Sequence, residues 1–463
     1  MTELNLKDSL NLSENTKKIN IFTILKFIIP SAIGILLFMT PIPSEGGITI
    51  PIAIVSSYFT GLIGDYLVYI IAGTLSISAI VSLITKIFKP SFIVNNTFLN
   101  SLFNISTPWL ITRVVGGVFG ILTALEIGPE IIIGGSTGSF VFNDLLTILF
   151  SIFLFAGLFL PLLLNFGLLE FFGSLLTKIM RPVFKLPGRS SIDCITSWLG
   201  DGTLGIILTN KQYVDGFYTK REAAVVSTTF SAVSITFSLV VIETIGLSHM
   251  FIPFYLTVTF AGIVAAIIVP RIPPLSRKSD TYYNDQPAKE SEDIPVGYNA
   301  LTWGYTKALE KADENSSVSE FFISGIKNVL DMWIGVLPVV MALATTALII
   351  AEYTSVFQIL GLPFIPILEL LQVPEAAAAS QTLVVGFADM LLPSVLAAES
   401  ITSEMTKFII ASVSVTQLIY MSEVGGVLLG SKIPVKIPEL IIIFITRTLV
   451  TLPVIVLIAN LLY

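Results

Sequence analysis

Residues 186–234 read LPGRSSIDCITSWLGDGTLGIILTNKQYVDGFYTKREAAVVSTTFSAVS. Within this stretch, Ser190 to Leu208 is apolar enough to enter a membrane, although three glycines interrupt it. Basic residues crowd both flanks, since seven of the chain's 25 Lys and Arg residues lie between Phe166 and Arg221. Because Lys and Arg mark cytosolic loops, both ends of the segment are predicted to lie on the cytosolic side. A segment that enters and leaves on one side is a re-entrant hairpin, which is permitted only where protein or water covers it.

The composition places the whole chain among the membrane proteins. Hydrophobic residues make up 54% of its 463 residues and charged residues 12%, against about 25% charged residues in an average soluble protein. Apolar runs recur from Ile21 to Leu462, and a bilayer core about 30 Å thick needs about 20 such residues per helix. The sequence therefore predicts an all-α polytopic membrane protein.

Charge and rare residue types exclude several classes of function. A net charge of -7 offers no basic surface for nucleic acid. With one Cys, Cys194, and one His, His249, the chain has no internal disulfide and lacks the usual ligand sets for zinc, haem or iron-sulfur clusters. The sequence offers no convincing Ser/His/Asp set and no GxxxxGK[ST] phosphate loop, so we do not expect an enzyme.

About nine transmembrane helices are predicted. They are Ile21–Ile42, the second half of residues 48–88, Trp109–Ile127, Asp144–Phe166, Ala223–Gly246, Phe251–Pro270, Val329–Ile350, one span holding KFIIASVSVTQ from Lys407, and Glu439–Asn460. Residues 1–20 are polar and are expected to form a cytosolic tail. Lys89 to Pro108 has the pattern of a helix lying in the interface.

A second hairpin is predicted in the other half of the chain. From Asn328 to Thr406 there is no Lys or Arg, which favours placing this stretch outside. Residues 374–396 then form a hairpin that enters from the outer face. Gly200 follows Pro187 by 13 residues and Gly386 follows Pro374 by 12. Two such units of opposite orientation form the inverted repeat of secondary transporters, whose site lies near the midplane.

The quoted stretch resembles the signature of YjiH-type membrane proteins, which carry nucleoside-recognition, or Gate, domains. Related domains occur in concentrative nucleoside transporters, spore maturation membrane proteins and the membrane part of bacterial ferrous iron transporter B. The resemblance to the YjiH type covers most of the chain, and that to nucleoside transporters extends only to architecture. It implies a transporter of the bacterial plasma membrane, with hairpins and unwound helices around a solute and a coupling sodium.

The predicted organisation has five parts. They are the cytosolic tail (1–20), N-terminal scaffold helices (21–142), a first gate repeat (143–270), a cytosolic linker (271–320) and a second gate repeat (321–463). The Gly- and Phe-rich scaffold is a candidate surface for a homo-oligomer.

Carboxylates inside the hairpins are the leading candidates for a solute or ion site, because an unpaired carboxylate at bilayer depth is costly. Asp193 and Asp201 lie in the first hairpin and Asp389 near the tip of the second. Asp201, next to Gly200, and Asp389 are the predicted ligands of a metal ion, Na⁺. The alternatives are a cap or an ion pair with Arg189 for Asp193, a solvated tip for Asp201 and a helix cap for Asp389.

Polar side chains on the hairpins and on the two Ser/Thr-bearing spans complete the predicted site. They are Thr203, Asn210, Thr228, Ser231, Gln381, Ser394, Gln417 and Glu423. The alternative for a hydroxyl is a bond to the preceding turn. Glu423 could take up a proton, giving proton coupling, or pair with Lys432. Arg113 and Arg447 are expected to snorkel to the interface.

The predicted function is ion-coupled secondary transport of a small polar organic solute by alternating access. The solute is amino-acid-like, dipeptide-like or nucleoside-like, and sodium is the expected coupling ion, with no other cofactor. The expected partners are this solute and the lipid bilayer. Two alternatives remain open: a passive channel, and a membrane protein that acts as a non-transporting partner.

Overall fold

The computed structural model describes residues 21–40, 42–44, 47–64, 66–200, 202–230, 233, 235–288, 294–295, 297–314 and 317–463. Over these residues the chain is predominantly helical, with one antiparallel hairpin of β1 (Ile42–Ser44) and β2 (Gly47–Thr49). Seven helical stretches are long and apolar enough to span a membrane: Ile21–Met39, Tyr66–Phe88, Thr107–Ala124, Phe140–Leu164, Ser248–Arg271, Ser319–Tyr353 and Ile437–Leu462. The predicted all-helical membrane architecture is confirmed, and the number of nine spans stays a prediction.

The N-terminal scaffold is a set of helices joined by short turns. It contains α1 (Ile21–Met39), α2 (Pro51–Ile63), α3 (Tyr66–Phe88), α4 (Ser91–Val94), α5 (Thr97–Phe103), α6 (Thr107–Ala124) and α7 (Glu130–Ile133). The predicted interfacial helix is two short helices, because Asn96 accepts hydrogen bonds from the N–H groups of Phe98 and Leu99 and starts α5 anew.

Arg113 on α6 is buried in this scaffold. Its guanidinium donates to Ser82 Oγ at 3.0 Å and to the carbonyl of Leu102 at 2.8 Å. The expectation that Arg113 snorkels to the interface is therefore wrong. It joins α6 to α3 and α5 instead.

The first repeat begins with a π-helical turn. Its elements are the turn Phe140–Leu146, α8 (Thr147–Phe159), α9 (Pro161–Leu164), α10 (Leu168–Phe184), α11 (Ser190–Ile195) with a π turn at Thr196–Gly200, α12 (Gly202–Val214), α13 (Lys220–Val225) with a π turn at Val226–Phe230, α14 (Ile235–Thr244), a 3₁₀ turn at Ser248–Met250 and α15 (Phe251–Ile268). We call α11 and α12, with the turn between them, hairpin 1.

The segment between the repeats contains 3₁₀ turns at Val269–Arg271, Leu275–Arg277 and Tyr283–Asp285, followed by α16 (Ala300–Glu314). Helix α16 is amphipathic and packs on α10 and α1. Tyr305 and Phe171 place their rings 6.5 and 6.0 Å from the ring of Phe27.

The second repeat has the same order of elements as the first. It contains α17 (Val318–Leu330), a π turn at Asp331–Val336, α18 (Leu337–Tyr353), α19 (Val356–Gly361), a 3₁₀ turn at Leu362–Phe364, α20 (Ile365–Leu370), α21 (Ala376–Val385), α22 (Leu392–Ser400), α23 (Glu404–Gln417), α24 (Val424–Gly430) and α25 (Ile437–Leu462). We call α21 and α22, with the turn between them, hairpin 2.

The two hairpins enter the molecule from opposite ends. The base of hairpin 2 adjoins the start of α23, where the ring of Phe408 lies 6.0 Å from that of Tyr463, the last residue. The 26 residues of α25 reach about 39 Å from there to the other end. At that other end Lys432 donates its backbone N–H to Asn210 Oδ1 at 2.8 Å, close to the base of hairpin 1. The fold therefore contains the inverted repeat that the sequence predicts.

We call the end that carries the base of hairpin 1 the basic end. It is held together by contacts among the charged segments: Arg181 pairs with Glu222 at 2.6 Å and Lys278 with Glu439 at 2.9 Å. Each hairpin leg has 9 to 13 residues, π turns included, or about 14–20 Å of helix. Such a leg reaches about halfway through a bilayer core, so both hairpins are re-entrant.

Candidate functional site

Two broken helices, one from each repeat, meet in the middle of the molecule. In the first repeat α13 and its π turn end at Phe230, and α14 starts at Ile235. In the second, α23 ends at Gln417 and α24 starts at Val424. Leu418 has a φ of 62°, a left-handed conformation that non-glycine residues rarely adopt. The unwound segment 418–423 therefore needs support from its surroundings.

The tip of hairpin 2 supplies that support. The backbone N–H of Met421 donates to the carbonyl of Phe387 at 2.8 Å, and that of Ser422 to Ala388 at 2.9 Å. These bonds resemble a short strand pairing between the hairpin tip and the unwound segment. Backbone at this depth has no water to bond with, so the pairing fixes the hairpin tip against the break in α23.

Arg447 on α25 joins the two broken helices. Its Nε and Nη2 donate to the carbonyl of Thr416 at 2.9 and 2.7 Å, and its Nη1 donates to the carbonyl of Thr229 at 3.1 Å and, more weakly, to that of Thr228 at 3.4 Å. These carbonyls belong to the last turns of α23 and of the helix 220–230, the part of a helix whose carbonyls commonly bond to groups outside it. Arg447 is 2% exposed, and the expectation that it snorkels is wrong.

Gln417 lies between the hairpin 2 tip and α25. Its Nε2 donates to the carbonyl of Leu383 at 2.8 Å and to Thr448 Oγ1 at 2.9 Å. A Cβ added to Gly386 would lie 2.3 Å from Gln417 Oε1. Only a glycine at 386 therefore allows the Gln417 amide to approach the turn of the hairpin.

Asp389 makes backbone contacts of the kind that the helix-cap alternative predicts, at the start of α22. Its Oδ1 accepts hydrogen bonds from the backbone N–H groups of Leu391 at 2.8 Å and Leu392 at 3.3 Å. Its carboxylate also bonds the side chain of Ser422 in the unwound segment. Asp389 thus starts the second leg of hairpin 2 and contacts the break in α23.

Three buried polar atoms near hairpin 2 have no hydrogen-bond partner within the described part of the chain: Ser394 Oγ, Ser412 Oγ and Gln417 Oε1. Such atoms are rare in proteins and call for an explanation. All three belong to hairpin 2 or to α23, which packs against it. They are neutral groups that could bind hydroxyl, amide or amino groups of a solute.

The base of hairpin 1 contains a second polar cluster, centred on Asp193. The Asp193 carboxylate accepts from Thr209 Oγ1 at 2.8 Å, Gln212 Nε2 at 2.5 Å and the Tyr218 hydroxyl at 3.0 Å. Gln212 in turn accepts from Arg189 Nε at 2.7 Å. Asp193 is therefore linked to Arg189 through Gln212, and the cluster ties both legs of hairpin 1 together.

Arg189 extends this cluster to the surrounding elements. It pairs with Glu170 on α10 at 3.3 Å and lies 3.6 Å from the centre of the Phe217 ring. Because α10 and the loop after α12 are both bound, hairpin 1 is anchored to the basic end by buried contacts. We interpret the cluster as an anchor of the hairpin.

The remaining predicted residues lie in different places. Thr228 directs its hydroxyl to the carbonyl of Ala224 at 2.6 Å, the turn-bonding alternative, and contributes its own carbonyl to Arg447. Thr203 is buried in α12, Gly200 ends its π turn, Gln381 is exposed on α21 and Glu423 precedes the first residue of α24. Asp201 and Ser231 lie outside the described residues.

The structure thus brings Gln417, Asp389 and the carbonyl of Thr228 towards the two breaks, and it places Asp193 and Asn210 at the basic end. Sequence reasoning missed Arg447. Its position held a signal, because it lies ten residues into α25, about 15 Å from the start of that helix. That depth is beyond the reach of a snorkelling side chain.

A small cavity lies where the two repeats meet near the basic end. Its volume is about 40 Å³, and its lining includes Asn210 of α12, Asp331 of the second-repeat π turn and Ser431 after α24. A volume of this size holds one or two water molecules. It is too small for a solute of nucleoside size.

Three comparisons show which known proteins this chain is similar to. Residues 146–248 match the model of the Gate family, described as nucleoside recognition. A protein of Alkalihalophilus pseudofirmus, named as uncharacterized, is 52% identical over 436 residues, which cover 94% of each chain. The solved structure of CNTnw in an inward-facing substrate-bound state aligns over 95% of this chain and 97% of that one, with 14% identity and a TM-score of 0.34. Similarity at that TM-score does not establish a common fold. The predicted Gate resemblance is confirmed by the family match.

Proposed function

We propose a transport function for this chain, which belongs to the same protein family as the Alkalihalophilus pseudofirmus relative and carries a Gate nucleoside-recognition segment. The proposed activity is secondary transport of a small polar organic solute by alternating access. One observation carries the proposal: two re-entrant hairpins enter from opposite ends, and broken helices from both repeats meet between them. Discontinuous helices of this kind form the midplane sites of secondary transporters.

The hairpins provide a way to open the site to one side at a time. Each hairpin can separate from the broken helices towards its own end while the other stays closed. The pairing of Met421 and Ser422 with the hairpin 2 tip would close the end away from the basic end. Solute binding then shifts the population between the two open states, as differential affinity requires.

The chemistry at hairpin 2 suggests the solute class. The amide oxygen of Gln417 and the hydroxyls of Ser394 and Ser412 are neutral and buried. They suit a solute with several hydroxyl, amide or amino groups. The Gate description puts nucleosides first among the candidates, ahead of amino acids and short dipeptides.

The proposal includes sodium as the coupling ion. Sodium binds oxygen ligands, which unwound backbone and carboxylates supply. Asp389, at the hairpin 2 tip, and Asp201, from the sequence, are the proposed ligands. We further propose that the protein resides in the bacterial plasma membrane with its basic end in the cytosol, and that the scaffold forms a homo-oligomer.

The first test is a thermal-shift screen of the purified protein with nucleosides, amino acids and dipeptides, each in sodium and in potassium. A ligand that binds only the folded state raises its apparent stability. We expect a hit among the nucleosides that is stronger in sodium. Uptake of that compound into proteoliposomes under a sodium gradient then tests transport.

Variants connect the screen to the site. Gln417→Ala is expected to abolish the ligand-induced shift, and Asp389→Asn the sodium dependence. Gln358→Ala, an exposed glutamine on α19, is the matched control and should behave as the wild type. An unchanged ligand-induced shift in Gln417→Ala would contradict the proposed site. Electrical currents too large for the turnover rate of a carrier would indicate a channel.

A further inference from the structure

Arg447 is a buried cation whose hydrogen-bond partners among the described residues are backbone carbonyls. Its guanidinium bonds Thr416, Thr228 and Thr229 through their main-chain oxygens. Among the described residues no carboxylate forms an ion pair with it. Burying a charge is expensive unless its surroundings compensate it, and within the described part of the chain these carbonyls supply that compensation.

The carboxyl ends of the two broken helices meet at Arg447, a place that we call the crossing, and they supply that compensation. Each helix carries about half a negative charge at its carboxyl end. The helix 220–230 and α23 both end on Arg447, so together they offer about one negative charge. This sum matches the single positive charge of the guanidinium. In transporters with discontinuous helices, carbonyls of this kind coordinate the coupling cation.

We propose that Arg447 is a built-in cation at the crossing of the two broken helices. It permanently occupies a place where a monovalent cation would otherwise bind, and it links the break of one repeat to the break of the other. The inference deepens the proposed transport function and rests on it. A coupling sodium then binds at the proposed ligands Asp389 and Asp201 and not at these carbonyls.

A purely structural role for Arg447, as a hydrogen-bond donor only, makes a different prediction. Any donor of suitable length would then serve, and the ionic composition of the solution would not matter. The built-in cation requires a charge at this point. Removing the charge should create a need for another cation, while keeping it on a different side chain should not.

The experiment compares Arg447→Gln, which removes the charge, with Arg447→Lys, which keeps it. Arg113→Gln is the matched control, since Arg113 is also buried and bonds a carbonyl but lies away from the crossing. Purified proteins without solute are melted in sodium, potassium, methylguanidinium and the bulky cation choline at equal ionic strength. We expect the melting temperature of Arg447→Gln to be about 3 °C higher in a small cation than in choline. This difference should exceed the one that the wild type shows.

Arg447→Lys and Arg113→Gln should show only the wild-type cation dependence. The inference is overturned when Arg447→Gln responds to cations as the wild type does, or when Arg447→Lys gains the same response as Arg447→Gln. If Arg447→Gln does not fold, Arg447→Lys must still fold, with a higher melting temperature than any neutral substitution at this position. Equal loss of stability in Arg447→Lys and in the neutral variants overturns the inference.

These results are separable from the transport proposal. Melting without solute reports only the charge at the crossing. A protein that transports nothing but shows the gained cation response refutes the transport function alone. A protein that transports its solute without such a gain refutes only the role of Arg447.

Discussion

At the scale of single residues, unmet backbone bonds decide which side chains matter at the crossing. Thr228 illustrates this, because its hydroxyl bonds its own helix while its carbonyl binds Arg447. The sequence identifies the hydroxyl as a candidate group, but it does not show which backbone carbonyl bonds another element. For Thr228, the carbonyl beside the helix break and not the hydroxyl is therefore the group that bonds another element.

Gly386 allows the first residue-scale prediction. Gly386→Ala places a Cβ 2.3 Å from Gln417 Oε1, so the Gln417 amide must leave its bonds to Leu383 and Thr448. We expect a loss of about 1–3 kcal/mol in the free energy of unfolding, together with loss of solute binding. Thermal melting and the ligand-induced shift measure the two effects.

Gly262→Ala is the control for this substitution. Nothing lies within 4 Å of a Cβ at that position in α15, and alanine favours a helix by about 0.5–1 kcal/mol. Gly262→Ala should therefore be as stable as the wild type or more so. Equal stability of both variants would show that the space at Gly386 is not needed.

Glu375, at the base of hairpin 2, allows a prediction about pH. Its carboxylate accepts a hydrogen bond from the Thr402 hydroxyl at 2.6 Å and others from the N–H groups of Thr402 and Ser403 at 3.0 Å. These bonds, the Thr402 hydroxyl first, and the charge of Lys407 hold the pKa of Glu375 below its ordinary value. A carboxyl with a lowered folded-state pKa stabilises the fold above its unfolded pKa, and this contribution is lost as the pH falls through the folded-state value.

Glu375→Gln should accordingly flatten the acid side of the stability curve. We expect the melting temperature of the wild type to fall more steeply than that of the variant from about pH 5 downwards. Glu352→Gln, an exposed glutamate at the end of α18, serves as the control and should retain the wild-type slope. Parallel curves for Glu375→Gln and the wild type would contradict the role of these bonds.

At the scale of elements, the two hairpins differ in how their legs are held. Hairpin 1 is bound at its base by the buried cluster of Asp193, Gln212 and Arg189. The base of hairpin 2 is closed by exposed bonds that Glu375 accepts and by one partly buried bond from the Thr406 hydroxyl to the carbonyl of Pro374. Buried hydrogen bonds are protected from water and exposed ones are not. Hairpin 1 is thus the anchored element and hairpin 2 the more readily opened one.

Hydrogen exchange can test this difference between the hairpins. Backbone amides of α21 and α22 should exchange faster than those of α11 and α12, because local opening costs less where fewer buried bonds break. Gln212→Ala removes the link between Arg189 and Asp193, and we expect it to raise exchange in α11 and α12 only. Faster exchange of hairpin 1 than of hairpin 2 in the wild type would reverse the assignment.

At the scale of the whole molecule, the opposite orientation of the repeats depends on a few long-range contacts. The bond from Lys432 to Asn210 and the ring contact of Phe408 with Tyr463 place the two hairpin bases at opposite ends. Lys278, which pairs with Glu439, joins the segment after the first repeat to the start of α25. The basic residues then indicate which end faces the cytosol.

Labelling of single cysteines tests this topology. In a Cys194→Ser background, we expect a cysteine at Lys185 to react only from the cytosolic side and one at Thr354 only from outside. Both positions are exposed, so a membrane-impermeant maleimide can reach them. Labelling of both cysteines from one side would rule out the proposed orientation.

The sequence by itself determined the membrane class, the two hairpins and their repeated order, because apolar length, glycine breaks and the distribution of Lys and Arg are local properties. It also placed Asp389 and Gln417 near the centre, since both lie next to a break. Only the tertiary structure decided the roles of Arg113 and Arg447, and it gave Asp193 its contacts with Thr209, Gln212 and Tyr218 at the base of hairpin 1. The physical reason is that a buried charge takes its partners from distant backbone carbonyls and side chains, and which of these lie within reach is set by packing between the repeats.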